Sequence, residues 1–243
     1  MTRFAEPMVI TCPHCDGHLL KCQLVSFSMR STKSWTDGAT GIGFDNVFSP
    51  LLRCPLCRQS FWKRDAKEIF QLPCKTRPMG QLAVWYAKLS GDKDKKLATQ
   101  TRWDNIPNCF KNAPSADVPD FDDWLELLED TSKLTPDREL IVRRKVWRSS
   151  SDHLRLKDDG TPWVPAPLLS EILVTENLLA LLELHNNGNT TNHAEKAELL
   201  RQLGRFDGAI HAIESASREE QQSPLFNKIL MLAKSSNIVV DYL

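Results

Sequence analysis

Apolar positions along this chain follow two different periods. Up to about residue 70 they come in short runs: Met8-Val9-Ile10, Leu19-Leu20, Leu24-Val25 with Phe27, Leu51-Leu52 and Phe61-Trp62. Turn residues such as Gly17 separate them, and short apolar runs bounded by turns predict β-strands. From Pro119 onwards the apolar residues recur every three or four positions, which predicts helices. Trp124, Leu125, Leu127 and Leu128 define one, opened by Asp120 or Asp122. Thr135-Pro136 opens a second that carries Leu140, Ile141, Trp147 and Leu154, since proline suits the first helical position. A third spans Leu168 to Leu184, apolar over a wide face and stopped at Asn186-Asn187-Gly188-Asn189.

Between these regions the pattern is weaker. Ala66 to Phe70 and Gln81 to Ala87 predict short helices, with Pro73 and Pro78 between them. Residues 91–119 read as a linker, with Pro107, Pro114 and Pro119 among polar residues. Residues 30–50 are rich in Ser, Thr, Gly and Asp and read as an inserted loop. Within it, Trp35-Thr36-Asp37-Gly38 is either a tight turn whose tryptophan covers a small core or a binding turn. The expected fold class is therefore α+β and mainly α. Residues 1–72 form a small β module with the inserted loop, 73–118 short helices and linker, and 119–243 a helical domain.

The cysteines change this picture most. Cys12-Pro13-His14-Cys15 and Cys54-Pro55-Leu56-Cys57 place four thiols on two tight turns. Paired Cys-x-x-Cys turns can aim four sulfurs at one tetrahedral ion, and zinc is the default occupant. One structural zinc per chain is expected on Cys12, Cys15, Cys54 and Cys57. A rubredoxin-like iron site uses similar turns, but its usual glycine after each second cysteine is replaced by Asp16 and Arg58. A closed four-cysteine site has no open coordination position, so the metal is expected to supply folding energy and not chemistry. His14, His18 and Cys22 lie near enough in sequence to be substitute ligands. The remaining cysteines, Cys74 and Cys109, make an odd total of seven, which argues against a disulfide framework and for a reducing, cytoplasmic setting.

The order strand, knuckle, strand, repeated, resembles a zinc ribbon over residues 8–70. The 38 residues between Cys15 and Cys54 exceed the usual spacing of about 15–20, implying an elaborated loop or a treble-clef-like variant. Further on, Ala197, Leu200, Gly204-Arg205-Phe206, Ala209, Ile213 and Ala216 resemble the second half of a tetratricopeptide repeat. That family places small residues where two helices touch, a glycine between them and an aromatic at the turn. His193 and Lys196 depart from the repeat's usual Trp and Leu, and a generic helical hairpin is the alternative. The combination resembles bacterial proteins that join a zinc ribbon to a tetratricopeptide-like tail, a group of no established activity.

Charge separates the halves. Residues 1–96 carry 15 Lys/Arg against 8 Asp/Glu, and residues 97–243 carry 16 against 23, for a net charge of zero. Four thiolates and one zinc lower the first half's balance of +7 to roughly +5. Arg53, Arg58, Lys63 and Arg64 rim the second knuckle beside Phe61 and Trp62, a pattern that would suit nucleic acid, with Trp35 and Trp62 as stacking or partner contacts. Arg143-Arg144-Lys145 reads as a solvated helix face. No phosphate loop, nucleophile elbow or zincin helix is present, and no local signature links Cys74 or Cys109 to His153, His185, His193 or His211. No stretch approaches the apolar length of a membrane span, and Met1 to Pro7 has no secretory character. The expected function is a non-enzymatic adaptor that binds a protein partner through its helical domain, with nucleic-acid binding as the alternative and an enzyme with an unrecognised site as the lesser one.

Overall fold

The computed structural model describes residues 3–22, 24–26, 33–40, 49–73, 103–155, 169–187 and 192–243. The helix expected at 81–87 and Cys74 lie outside them. The fold is α+β and mainly α, a set of short antiparallel strands followed by helices. It divides into two compact units, Met1–Arg30 with Gly43–Pro119, and Ser31–Ile42 with Asp120–Leu243.

The first unit is built on a repeated strand–knuckle–strand. β1 (Arg3–Phe4) pairs with β4 (Leu24–Ser26), while β2 (Met8–Thr11) lies between β3 (His18–Lys21) and β7 (Lys67–Gln71). β5 (Leu51–Arg53) pairs with β6 (Ser60–Trp62). Ile10 faces Leu19 across the first hairpin, and Leu52 faces Phe61 across the second. Each pair stands at the same offset from its cysteines, so residues 10–19 and 52–61 are two copies of one ten-residue pattern. Both pairs enter one core with Cys12, Cys54 and Ala66. The next residue on β2, Val9, points the other way and packs with Leu72 and Ile106, as the twofold alternation of a strand requires.

Two expectations change in this unit. Ala66 to Phe70 was expected to be helical, but Lys67–Gln71 is a strand, antiparallel to β2. All five of its residues are exposed, so it carries no alternation to betray it. Pairing with a buried neighbour decides its conformation, and strand propensity yields readily to such context. Residues 103–119, expected as linker, pack onto the sheet. Phe110, on the short helix α1 (Asn108–Lys111), stacks on Phe70 at 6.4 Å and meets the His18 ring edge-on at 5.0 Å. Beyond it, Leu20 and Arg53 each exchange two backbone hydrogen bonds with residues 114–117. One strand-like segment therefore joins β3 of the first hairpin to β5 of the second.

The second unit is a succession of helices: α2 (Phe121–Glu129), α3 (Pro136–Ser150), α4 (Glu171–Asn187), α5 (His193–Gln202), α6 (Phe206–Glu214), α7 (Arg218–Gln221) and α8 (Pro224–Lys234). Their starts follow local chemistry. Asp120 and Asp123 make a capping box, Thr135 and Ser223 cap with proline behind them, and Asn192 accepts from Glu195 N at 3.1 Å. α5 ends in a Schellman turn, with Arg205 N donating to Leu200 O at 2.8 Å and Gly204 N to Arg201 O at 2.9 Å. Gly204 sits at φ 71°. Small residues on α5 and α6 let the helices approach, so that Ala197, Ala209, Ala212, Ile213 and Ala216 form one core with Phe226 and Ile229 of α8. Trp147 of α3 packs with Leu178, Leu181 and Leu199, and its Nε1 donates to Gln202 at 2.9 Å.

The arginines of α3 form no solvated face. Arg144 makes two bonds to Glu195, at 2.6 and 2.7 Å, and Arg143 pairs with Glu139 at 2.7 Å. Asn177, buried on α4, donates to Arg143 O. Such arginines bury their stems in helix packing and need internal partners. Burial pushes Glu195 up, but His185 3.5 Å away and the two Arg144 bonds outweigh it and hold the carboxyl down to about 2.

Three outcomes are expected. Gly204→Ala meets no atom within 4 Å and costs only the left-handed backbone strain of the added Cβ, so urea unfolding should show a loss of about 1 kcal/mol. Gly38→Ala, at φ 75°, also places a methyl 2.9 Å from Arg148 Nη2 and should lose more. The depressed Glu195 carboxyl contributes stability above its unfolded value near pH 4.5, and that contribution disappears as pH falls through about 2. Thermal unfolding between pH 5 and 2 should lose up to about 3 kcal/mol from this group, and Glu195→Gln should flatten the slope.

Candidate metal centre

Each knuckle is closed by the same two backbone hydrogen bonds. Cys12 N donates to Gly17 O at 2.9 Å and Asp16 N to Cys12 O at 3.0 Å. In the second copy Cys54 N donates to Gln59 O at 3.0 Å and Arg58 N to Cys54 O at 2.8 Å. This geometry forces a left-handed residue after each second cysteine, and Asp16 and Arg58 take it up at φ 55° and 64°. Both pay a backbone penalty that glycine would avoid. The middle residue of each knuckle reaches the other copy: His14 Nε2 donates to Ser60 O at 3.2 Å, and Leu56 lies over Gly17.

Four sulfurs converge as a result. The Sγ atoms of Cys12, Cys15, Cys54 and Cys57 all lie within 4.8 Å of one another. Cys12–Cys57 and Cys15–Cys54 are each 3.8 Å apart. A tetrahedral ion with sulfur ligands at about 2.3 Å sets neighbouring sulfurs about 3.8 Å apart. A disulfide would need about 2.05 Å, so these cysteines are not bonded in pairs. Cys12 and Cys54 are fully buried, Cys57 is half-buried and Cys15 exposed. His14 N points at Cys12 Sγ from 3.4 Å, the kind of amide contact that steadies a thiolate.

Electrostatics explain why such a cluster calls for a cation. Burial pushes the Cys12 thiol up to about 12. In contrast, the amide of Gln59 leads the effects that lower Cys57. Four neighbouring thiolates repel one another, and a divalent ion removes that repulsion while displacing the remaining protons. The donor set and its spacing thus fit a metal ion held by four cysteines.

The other residues singled out in the sequence are dispersed. His18 and Cys22 stand outside the sulfur cluster, His18 against Phe110 and Cys22 exposed. Arg58 and Arg64 are exposed, while Arg53 and Lys63 are half-buried. Arg53 Nε donates to Arg58 O at 3.3 Å, and burial, then Lys21, lowers Lys63. Trp62 and Phe61 are buried on β6. Trp35, expected over the small core of the first unit, is buried in the second, edge-on to Tyr242 at 6.3 Å with the Arg155 guanidinium over its ring. Cys109 is exposed on α1, and His185 is buried beside Glu195.

No protein-family model matches the chain, and comparison with curated proteins and with solved structures returns no match. Among the described residues, no helix is long and apolar enough to cross a membrane.

Elemental analysis of purified protein should give one metal ion per chain, and Cys12→Ser with Cys54→Ser should abolish it. Because the ion competes with protons for the thiols, its release to a chelator should accelerate as pH falls below 7. Retention of full stoichiometry in the double variant would contradict the assignment.

Proposed function

We propose that the protein is a non-enzymatic adaptor in which one structural zinc ion folds the N-terminal module and the helical unit binds a protein partner. The observation that carries this reading is the closed sulfur cluster, with four protein ligands around one point and no coordination position left for water or substrate. Zinc suits the site because it prefers tetrahedral thiolate sets. On this reading the module is a zinc ribbon and the α5–α6 pair a tetratricopeptide-like hairpin. The alanine contacts of α5 with α6 and the glycine turn between them support the second likeness.

The partner surface is assigned to the C-terminal end of the helical unit. Met231, Ile238, Val239, Tyr242 and Leu243 are large apolar residues exposed there, Ile238 at 54% and Val239 at 48%. Exposed apolar groups of this kind favour protein contact. A reducing cytoplasm, where zinc–thiolate sites persist, is the matching compartment.

Co-purification from the protein's own cell, with the tagged full chain, tests the reading. A partner that is retained by the wild type and lost with Ile238→Ser and Val239→Ser is the expected result. Binding instead to DNA or RNA, weakening steeply between low and physiological salt and abolished by neutralising Arg58 and Arg64, would replace the adaptor reading with the nucleic-acid one.

A further inference from the structure

Between its two knuckles the chain leaves the metal module and then returns to it. Residues Ser31–Ile42 belong to the same compact unit as Asp120–Leu243. There the Trp35–Gly38 turn is held by buried polar side chains. Asp37 pairs with Arg155, Asp37 O accepts from Arg148 Nε at 3.1 Å, and Thr36 Oγ1 donates to Glu198 at 2.7 Å. Glu198 is itself fully buried and bonded twice to Arg201, at 2.5 and 2.8 Å. The backbone pairs as well, with Thr36 N donating to Asp241 O at 3.0 Å and Leu243 N to Ser34 O at 2.9 Å. A segment that lies between the two knuckles in sequence thus supplies a buried carboxylate and a bridging backbone pair to the helical unit.

We propose that metal binding at the four cysteines and docking of the Trp35–Gly38 turn are thermodynamically linked, so that each strengthens the other and metal loss loosens the C-terminal segment. The inference rests on the structural-metal reading above. While the metal folds the module, docking the turn has to close only the chain between Thr40 and Ser49, because Arg53 pairs with Asp117 inside that module and Pro119 runs directly into Asp120. Without the metal the whole span 41–120 must be closed. That span is about tenfold longer, and closure becomes about thirtyfold less favourable by the three-halves power of length. Linkage is reciprocal, so undocking the turn weakens metal binding by the same factor. The segment that would loosen, Asp241 to Leu243, adjoins the exposed residues assigned to the partner. Metal state would therefore regulate that surface.

The test lengthens the closure that docks the turn and leaves the span between Cys15 and Cys54 unchanged. About sixteen Gly-Ser residues are inserted between Pro119 and Asp120, making that closure about threefold longer while the metal is bound. Zinc affinity is then measured by competition with a chromophoric chelator, and should fall by about fourfold or more. In the wild-type chain, hydrogen exchange at residues 34–37 and 241–243 should accelerate when zinc is removed. Equal affinity in both proteins together with unchanged exchange at 241–243 would overturn the linkage and leave the zinc site standing. Failure of the wild type to bind zinc would overturn both.

Discussion

Convergence of four sulfurs from two copies of one turn is the constraint on which the first unit depends. Ile10, Leu19, Leu52, Phe61 and Ala66 form one cluster of its core with two buried cysteines, and Val9, Leu72 and Ile106 form another. Among the described residues both clusters are small, and metal binding is the usual support for a small module. The knuckle geometry also explains an apparent defect. Asp16 and Arg58 occupy left-handed positions that glycine would fill without strain, and binding energy from the metal can offset such strain.

The helical unit depends on a different interaction. Its interior holds ion pairs as well as apolar residues, with Glu198 and Arg201 both fully buried. Burial pushes the Asp37 carboxyl above its ordinary range, although Arg155 and Arg148 stand against it. Buried pairs of this kind add little net stability, yet removing one partner is severe because the other charge is left in a dry interior. They act as fitted parts that fix which segment belongs where. The inserted turn is placed by them, and the C-terminal segment is placed by the turn.

Much of this was legible in the chain. Matching Cys-Pro-x-Cys knuckles announced the sulfur cluster, and three- and four-residue spacing with Thr135-Pro136 announced the helices. A finer signal was there to be read: Ile10 and Leu19 stand to their cysteines as Leu52 and Phe61 stand to theirs, which marks the module as a duplicated hairpin. Other features left no trace in local pattern. The edge strand at Lys67–Gln71 is exposed along its length and takes its conformation from β2. Arg144 looked like a solvent-facing cation because its acceptor, Glu195, lies far away in sequence. Trp35 was assigned to the core next to it in the chain, whereas its neighbours Arg155 and Tyr242 come much later. Long-range electrostatic pairing is the part of a fold that periodicity does not encode.

X-ray absorption at the metal edge of the purified, metal-loaded protein tests the central claim most directly. Four sulfur scatterers at about 2.3 Å, with no nitrogen or oxygen in the shell, is the predicted result for zinc closed in by Cys12, Cys15, Cys54 and Cys57. A mixed shell, in which water or histidine completes the coordination, would contradict it.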